Sequence, residues 1–148
     1  MHQVLSTKEA ADTQAVATMA AAAAVEAEIT EFVDDMAAAY GWADLVVCRA
    51  GATTVAELTA LGKTALFVPY PYAADDHQRL NALAVVDAGG GEMILEKDLN
   101  GPLLANRLKL FMTRPEGLEQ MAAAARTLGR PEAAAEIVKD CLELIGVT

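Results

Sequence analysis

The chain has 148 residues, 54% of them hydrophobic but only 5% aromatic, which suits one compact domain whose core is built from small and aliphatic side chains. Its net charge of −10 and pI near 4.5 repel nucleic-acid backbones and anionic headgroups, so the composition argues against a nucleic-acid partner and against direct membrane contact. The two cysteines, Cys48 in an apolar run and Cys141 on a helical pattern, read as packed small hydrophobes of a reducing cytosol and not as a disulfide or a ligand pair.

The first twenty-six residues say least. Ala10 to Ala24 is alanine-rich and predicts a helix. No basic, apolar and cleavable leader opens the chain, and Ala20 to Val25 is far too short to span a bilayer. From Glu28 a rhythm sets in. Ile29 to Val33 reads as a strand, and Asp34 and Asp35 open a short helix through Tyr40, with carboxylates at its positive end. Leu45 to Cys48 is a continuous apolar run, as in a strand covered on both faces. Thr54 to Leu61 reads as a helix stopped by Gly62, and Ala65 to Val68 as a second buried strand ended by Pro69 and Pro71. Asp76 to Ala88 predicts an amphipathic helix closed by Gly89 to Gly91, and Met93 to Leu95 a short strand. Helices follow near Pro102 to Thr113, Pro115 to Leu128 and Pro131 to Ile145, each opened by a proline that suits a first helical turn. Strands alternating with helices over short connections imply a parallel, Rossmann-like α/β sheet with flanking helices. Ligands of such sheets bind beyond the carboxyl ends of the strands, which singles out the loops Val33–Asp35, Arg49–Thr54 and Pro69–His77.

In the second of these, a buried strand meets a small-residue turn, Ala50-Gly51-Ala52, and a helix begins at once. Unpaired N–H groups at a helix start attract anions. Gly51 and Ala52 would let a phosphate approach the backbone, Thr53 and Thr54 add hydroxyls, and Glu57 could accept both hydroxyls of a ribose. Thr54 and Glu57 are also spaced as a capping box, which needs no ligand. The spacing leaves both readings open. In the third loop His77, Gln78 and Asn81 gather at a helix start, where amides could donate to and accept from vicinal sugar hydroxyls. Asp76 as an N-cap with the amides on a solvated face would explain the same pattern. In the first loop, a backbone amide and carbonyl beside Phe32 could pair with a base edge. Two other patterns are coincidental. Gly62-Lys63-Thr64 imitates a phosphate-binding loop but has Glu57 where the first glycine belongs, and it joins a helix to a strand. Two histidines without cysteine neighbours make no zinc site, so neither metal nor cofactor is expected.

Taken together, Thr30-Glu31-Phe32-Val33-Asp34-Asp35-Met36, Ala43-Asp44-Leu45-Val46-Val47-Cys48-Arg49-Ala50-Gly51-Ala52 and Pro71-Tyr72-Ala73-Ala74-Asp75-Asp76-His77-Gln78-x-x-Asn81-Ala82 closely resemble the MurG family of two-domain (GT-B) GlcNAc transferases. The match runs from about Glu28 to the C-terminus. It implies transfer of GlcNAc from UDP-GlcNAc to lipid I, giving lipid II in peptidoglycan synthesis, at the cytoplasmic face of the inner membrane. The resemblance casts residues 1–148 as a single, partial donor-binding domain, without its first strand and glycine-rich turn and without the acceptor domain. It also implies that the backbone at Val33 meets uracil, and that the stretch Gly51, Ala52, Thr53, Thr54, Val55, Ala56 and Glu57 lines diphosphate, sugar and ribose. His77, Gln78 and Asn81 would face the GlcNAc hydroxyls. Departures are Ala50 for an expected serine, Lys63 for a less charged residue and Thr64 for a customary proline. No residue reads as a general base, so the chain alone is expected to be inactive. An incomplete sheet would expose an edge prone to self-association. A non-catalytic nucleotide-sugar-binding subunit with a separate membrane-bound partner is the competing reading.

Overall fold

The computed structural model describes residues 3–6, 18, 27–30 and 32–146. They fall into two compact units, residues 1–42 and 43–148, described in turn. In the first, β1 (Gln3–Ser6) pairs in parallel with β2 (Ala27–Thr30), in the register Gln3↔Ala27 to Ser6↔Thr30. The sequence reading had no strand at β1. The helix expected over Ala10 to Ala24 lies outside the described residues except for Thr18, which is helical. Strand β2 ends earlier than expected. Beyond it, the Thr30 hydroxyl donates to the Phe32 carbonyl at 2.6 Å and accepts from the Phe32 N–H at 3.3 Å, so the side chain takes over the backbone and the ladder stops. Helix α1 (Met36–Trp42) follows. Asp35 Oδ1 accepts from the Ala38 N–H at 2.9 Å, so a carboxylate expected only for its charge at the helix start also caps it.

The second unit holds a parallel three-stranded sheet, in the order β3 (Val46–Cys48), β4 (Ala65–Phe67), β5 (Gly91–Met93). Between the strands run α2 (Ala52–Leu61) and α3 (His77–Asp87), and after them α4 (Gly101–Thr113), α5 (Pro115–Thr127) and α6 (Ala133–Leu144). Central β4 is wholly buried, which explains its unbroken apolar sequence: both faces are covered. Alternation along β4 sends Leu66 to one face, where it packs with Ile94 and Phe111 amid Leu45, Leu103, Leu104, Leu118 and Met121.

Strand β5 starts two residues before its expected position. Gly89, at φ 79°, and Gly90 close α3 by donating to the carbonyls of Val86 and Val85, but Gly91 already belongs to the ladder. A Cβ on Gly91 would lie 2.6 Å from the Ala65 carbonyl oxygen, so the glycine is there for close strand approach. The unexpected Lys63 and Thr64 also find local reasons. Lys63 Nζ donates to the Ala43 carbonyl at 3.0 Å, and the buried Thr64 hydroxyl donates to the Leu118 carbonyl at 2.8 Å. Thr64 thereby ties the start of β4 to α5, a bond proline could not make.

Helix α6 has no buried residue, and Ile137, Val138, Leu142 and Ile145 are exposed along it. Cys141 is exposed as well, which corrects the expectation of a packed side chain: the helical pattern was real, but its apolar face is uncovered in this chain. Cys48 is partly buried on β3 as expected, and burial pushes its thiol from the ordinary 9.0 up to about 12.

Two outcomes test this packing. Gly129 abuts α2, where an added Cβ would stand 2.6 Å from the Thr59 carbonyl oxygen, whereas a Cβ on Gly101 would meet nothing within 4 Å. Gly129→Ala should therefore lose about 1–3 kcal/mol in urea unfolding, and Gly101→Ala should lose nothing; equal behaviour would contradict the α2 contact. For the thiols, iodoacetamide at about pH 8 should modify Cys141 and spare Cys48 until urea is added. The raised Cys48 pKa also makes the folded state hold a proton that the unfolded chain releases. Stability should thus fall as pH rises from 9.0 towards 12, and Cys48→Ala should abolish that component.

Candidate functional site at the carboxyl edge of the sheet

Because β3, β4 and β5 are parallel, their carboxyl ends share one edge, and the loops leaving them converge there. The ladder runs one residue past β4 and β5: the Val68 N–H donates to the Cys48 carbonyl at 2.8 Å and the Ile94 N–H to the Phe67 carbonyl at 2.9 Å. Beyond that point side chains do the joining. Arg49 Nη1 donates to the carbonyls of Val68 at 3.0 Å and Pro69 at 3.2 Å. The same guanidinium is ion-paired with Glu96, in the 3₁₀ turn after β5, and lies 5.6 Å from the centre of the Tyr70 ring. One arginine thus links all three loops. The sequence signal for Arg49 is a bulky cation placed directly after an apolar run and before Ala50-Gly51, a pattern to which no role attaches without the fold.

Helix α2 begins one residue after Gly51, which is its N-cap at φ −63°, ψ 148° and offers no side-chain bond. Thr54 is therefore the third helical residue and not the cap, so the capping-box reading of Thr54 with Glu57 does not apply. Sequence placed the helix start too late because a glycine cap leaves no side-chain signature while Thr54 and Glu57 imitate one. The first N–H groups of α2 have no intrahelical acceptor. Ala52 and Thr53 are exposed, Thr54 and Val55 half-buried, and Ala56 and Glu57 exposed. Glu57 follows Thr53 by four residues, hence on the same face of the helix. Gly51 is notable for what the protein does not ask of it. Its φ suits any residue, and a Cβ would meet nothing nearer than Thr54 Oγ1 at 3.9 Å.

The loop after β4 carries the edge-to-face pair Tyr70–Tyr72, with ring centres 5.6 Å apart. It then passes through a 3₁₀ turn, Ala74–Asp76, in which Asp75 and Asp76 take left-handed φ values of 50° and 55°. Asp76 precedes α3 but makes no side-chain cap; its carboxylate pairs with Arg79. His77 Nδ1 lies 2.7 Å from the Ala74 carbonyl, which can only accept, so Nδ1 of this exposed ring donates to it. Gln78 and Asn81 do not lie on a solvated face. Gln78 Oε1 accepts from the N–H groups of Ala50 at 3.3 Å and Tyr70 at 3.0 Å, and Asn81 Nδ2 donates to the Ala50 carbonyl at 3.1 Å. These bonds bring the residues expected at the sugar (His77, Gln78, Asn81) against the turn expected at the diphosphate (Gly51 to Thr54). Val33, the residue expected at uracil, is half-buried just past β2 in the first unit.

Among the described residues no helix is long and apolar enough to cross a membrane, and no group of three His, Cys, Asp or Glu could hold a metal ion. The raised Cys48 pKa removes a thiolate nucleophile from this edge.

A transferase of Anaeromyxobacter sp. (strain Fw109-5), named UDP-N-acetylglucosamine–N-acetylmuramyl-(pentapeptide) pyrophosphoryl-undecaprenol N-acetylglucosamine transferase, is 55% identical over 120 residues, 81% of this chain and 32% of that protein. The protein of the same name from Myxococcus xanthus (strain DK1622) is 51% identical, covering 81% and 31%. The chain thus spans about a third of the length of the curated relatives it matches. The crystal structure of Acinetobacter baumannii MurG superposes with a TM-score of 0.81 at 28% identity, over 93% of this chain and 50% of that one. A glycotransferase of kitacinnamycin, at TM-score 0.63 and 18% identity, shares the fold. Residues 1–138 match the family model for the C-terminal domain of glycosyltransferase family 28, and the chain belongs to that family.

Proposed function

We propose that this chain is a donor-binding domain for UDP-GlcNAc, part of an inverting transferase that converts lipid I to lipid II in peptidoglycan synthesis at the cytoplasmic face of the membrane. The observation that carries the reading is Gly51. A glycine that neither its own backbone angles nor any protein neighbour requires stands in front of the bare amino end of α2. A diphosphate approaching those N–H groups would occupy the space that a side chain there would take. Thr53 and Thr54 add hydroxyl donors beside it, and Glu57, one turn on, accepts from the ribose hydroxyls. His77, Gln78 and Asn81 stand at the adjoining helix start for the sugar. The names of the relatives at 51–55% identity support both the donor and the acceptor.

The chemistry this edge offers is placement and stabilisation of the leaving diphosphate by fixed N–H dipoles. No group here is placed as a general base. Deprotonation of the acceptor hydroxyl therefore falls to the acceptor domain of the whole enzyme, and this chain alone is expected to form no lipid II from lipid I.

Two substitutions separate binding from folding. Gly51→Ala exchanges a slightly poorer cap for a less flexible unfolded chain, so its stability should stay within about 1 kcal/mol of the parent. Its affinity for UDP, measured by calorimetric titration, should nevertheless fall about tenfold. Glu57→Ala should weaken UDP-GlcNAc and UDP-glucose alike, by about 10- to 100-fold, as loss of hydrogen bonds to a charged acceptor predicts. Unchanged UDP affinity in Gly51→Ala would remove the diphosphate from α2, and a loss confined to one sugar in Glu57→Ala would remove the ribose from Glu57.

A further inference from the structure

Gln78 and Asn81 are expected at the donor's sugar, yet their observed bonds go to the protein. Two backbone N–H groups, of Ala50 and Tyr70, converge on Gln78 Oε1. Since only the amide oxygen can accept from both, the side-chain orientation is fixed: Oε1 faces the backbone and Nε2 is what remains for a ligand. Asn81 is fixed the other way, because the Ala50 carbonyl can only accept. Nδ2 meets it at 3.1 Å, and Oδ1 remains. Ala50 is completely buried and lies past the end of β3, so no strand neighbour continues the ladder at its backbone groups. Both are satisfied from the first two turns of α3, and the next residue along the chain is Gly51, the cap of α2.

We propose that Gln78 and Asn81 are positioning residues for the diphosphate: by holding the N–H and the carbonyl of Ala50 they set where the amino end of α2 stands, and so govern affinity for UDP itself, whatever sugar is attached. The proposal rests on the diphosphate reading given above. It differs from a sugar-contact role in a measurable way, because a residue that only touched the sugar would leave UDP binding alone.

Gln78→Met keeps the length of the side chain and removes the acceptor, whereas Gln78→Glu keeps acceptor oxygens and removes the amide donors. In calorimetric titration, Gln78→Met should weaken UDP and UDP-GlcNAc by a similar factor, about tenfold for loss of the paired bonds. In hydrogen exchange of the unliganded chain, the Ala50 and Tyr70 amides should lose protection in Gln78→Met and keep it in Gln78→Glu. Asn81→Ala, which removes only the bond to the Ala50 carbonyl, should lower UDP affinity by a smaller factor in the same direction, and it replaces Gln78→Met as the deciding variant should that protein fail to fold. Parent-like UDP affinity in a folded variant, with the loss confined to UDP-GlcNAc, would overturn the positioning role, as would unaltered exchange at Ala50 and Tyr70 in Gln78→Met. Failure of the parent chain to bind UDP is a distinct result, and it would overturn the donor-site reading itself.

Discussion

The backbone of Ala50 is the point on which this site turns. Strand β3 ends at Cys48, and within four residues the chain has become a helix. Ala50 is completely buried in between, where a backbone N–H or C=O left unpaired costs several kcal/mol at the upper end and rarely persists. The fold answers with side chains from the neighbouring crossover: Gln78 accepts from the N–H and Asn81 donates to the carbonyl. One residue earlier, Arg49 does the same for the carbonyls of Val68 and Pro69. The strand ends are thus laced together at the edge where a parallel sheet presents its loops, and the direction of α2 follows from that lacing.

This arrangement shows why the elements were legible in the sequence and the site's internal bonds were not. Parallel strands announce themselves as apolar runs, and Leu45 to Cys48 and Ala65 to Val68 were placed to within a residue or two, although only β4 is covered on both faces: Val47 of β3 is exposed. Prolines at residues 102 and 115 marked the starts of α4 and α5 within a residue, while Pro131 lies two residues before α6. Glycines were harder to read, since one run served two purposes: Gly89 and Gly90 end a helix and Gly91 begins a strand. Strand β1 was missed because four residues beside a long alanine-rich stretch carry too little pattern.

At the candidate site, Gln78, Asn81 and the turn before Gly51, all singled out in the sequence, lie together in the fold, but the direction of the side chains was not legible. Amides at i and i+3 on a helix start look the same in sequence whether they face solvent, a ligand or the backbone of the next loop. Only the partner tells, and Ala50 lies 28 residues from Gln78 and 31 from Asn81. Contacts of that separation leave no local periodicity. The same limit hid Arg49, whose ion pair with Glu96 spans two strands. It also allowed Thr54 and Glu57 to pose as a cap when the helix had already begun.

Electrostatics makes the placement of α2 matter more than charge. The chain carries a net charge of −10, yet the donor assigned to it is itself an anion. Arginine cannot readily supply the attraction at this edge: Arg49 is committed to Glu96, and Arg79 to Asp76. What the edge offers a diphosphate, on the proposed reading, is the amino end of α2 and the hydroxyls of Thr53 and Thr54. Such groups act as dipoles, whose pull falls away within about the first helical turn, unlike the longer reach of a free cation. Recognition by dipoles tolerates little displacement, so a site of this kind needs its helix start fixed before the ligand arrives. On the proposed diphosphate reading, that requirement is met by a buried alanine with a polar side chain on each of its backbone groups.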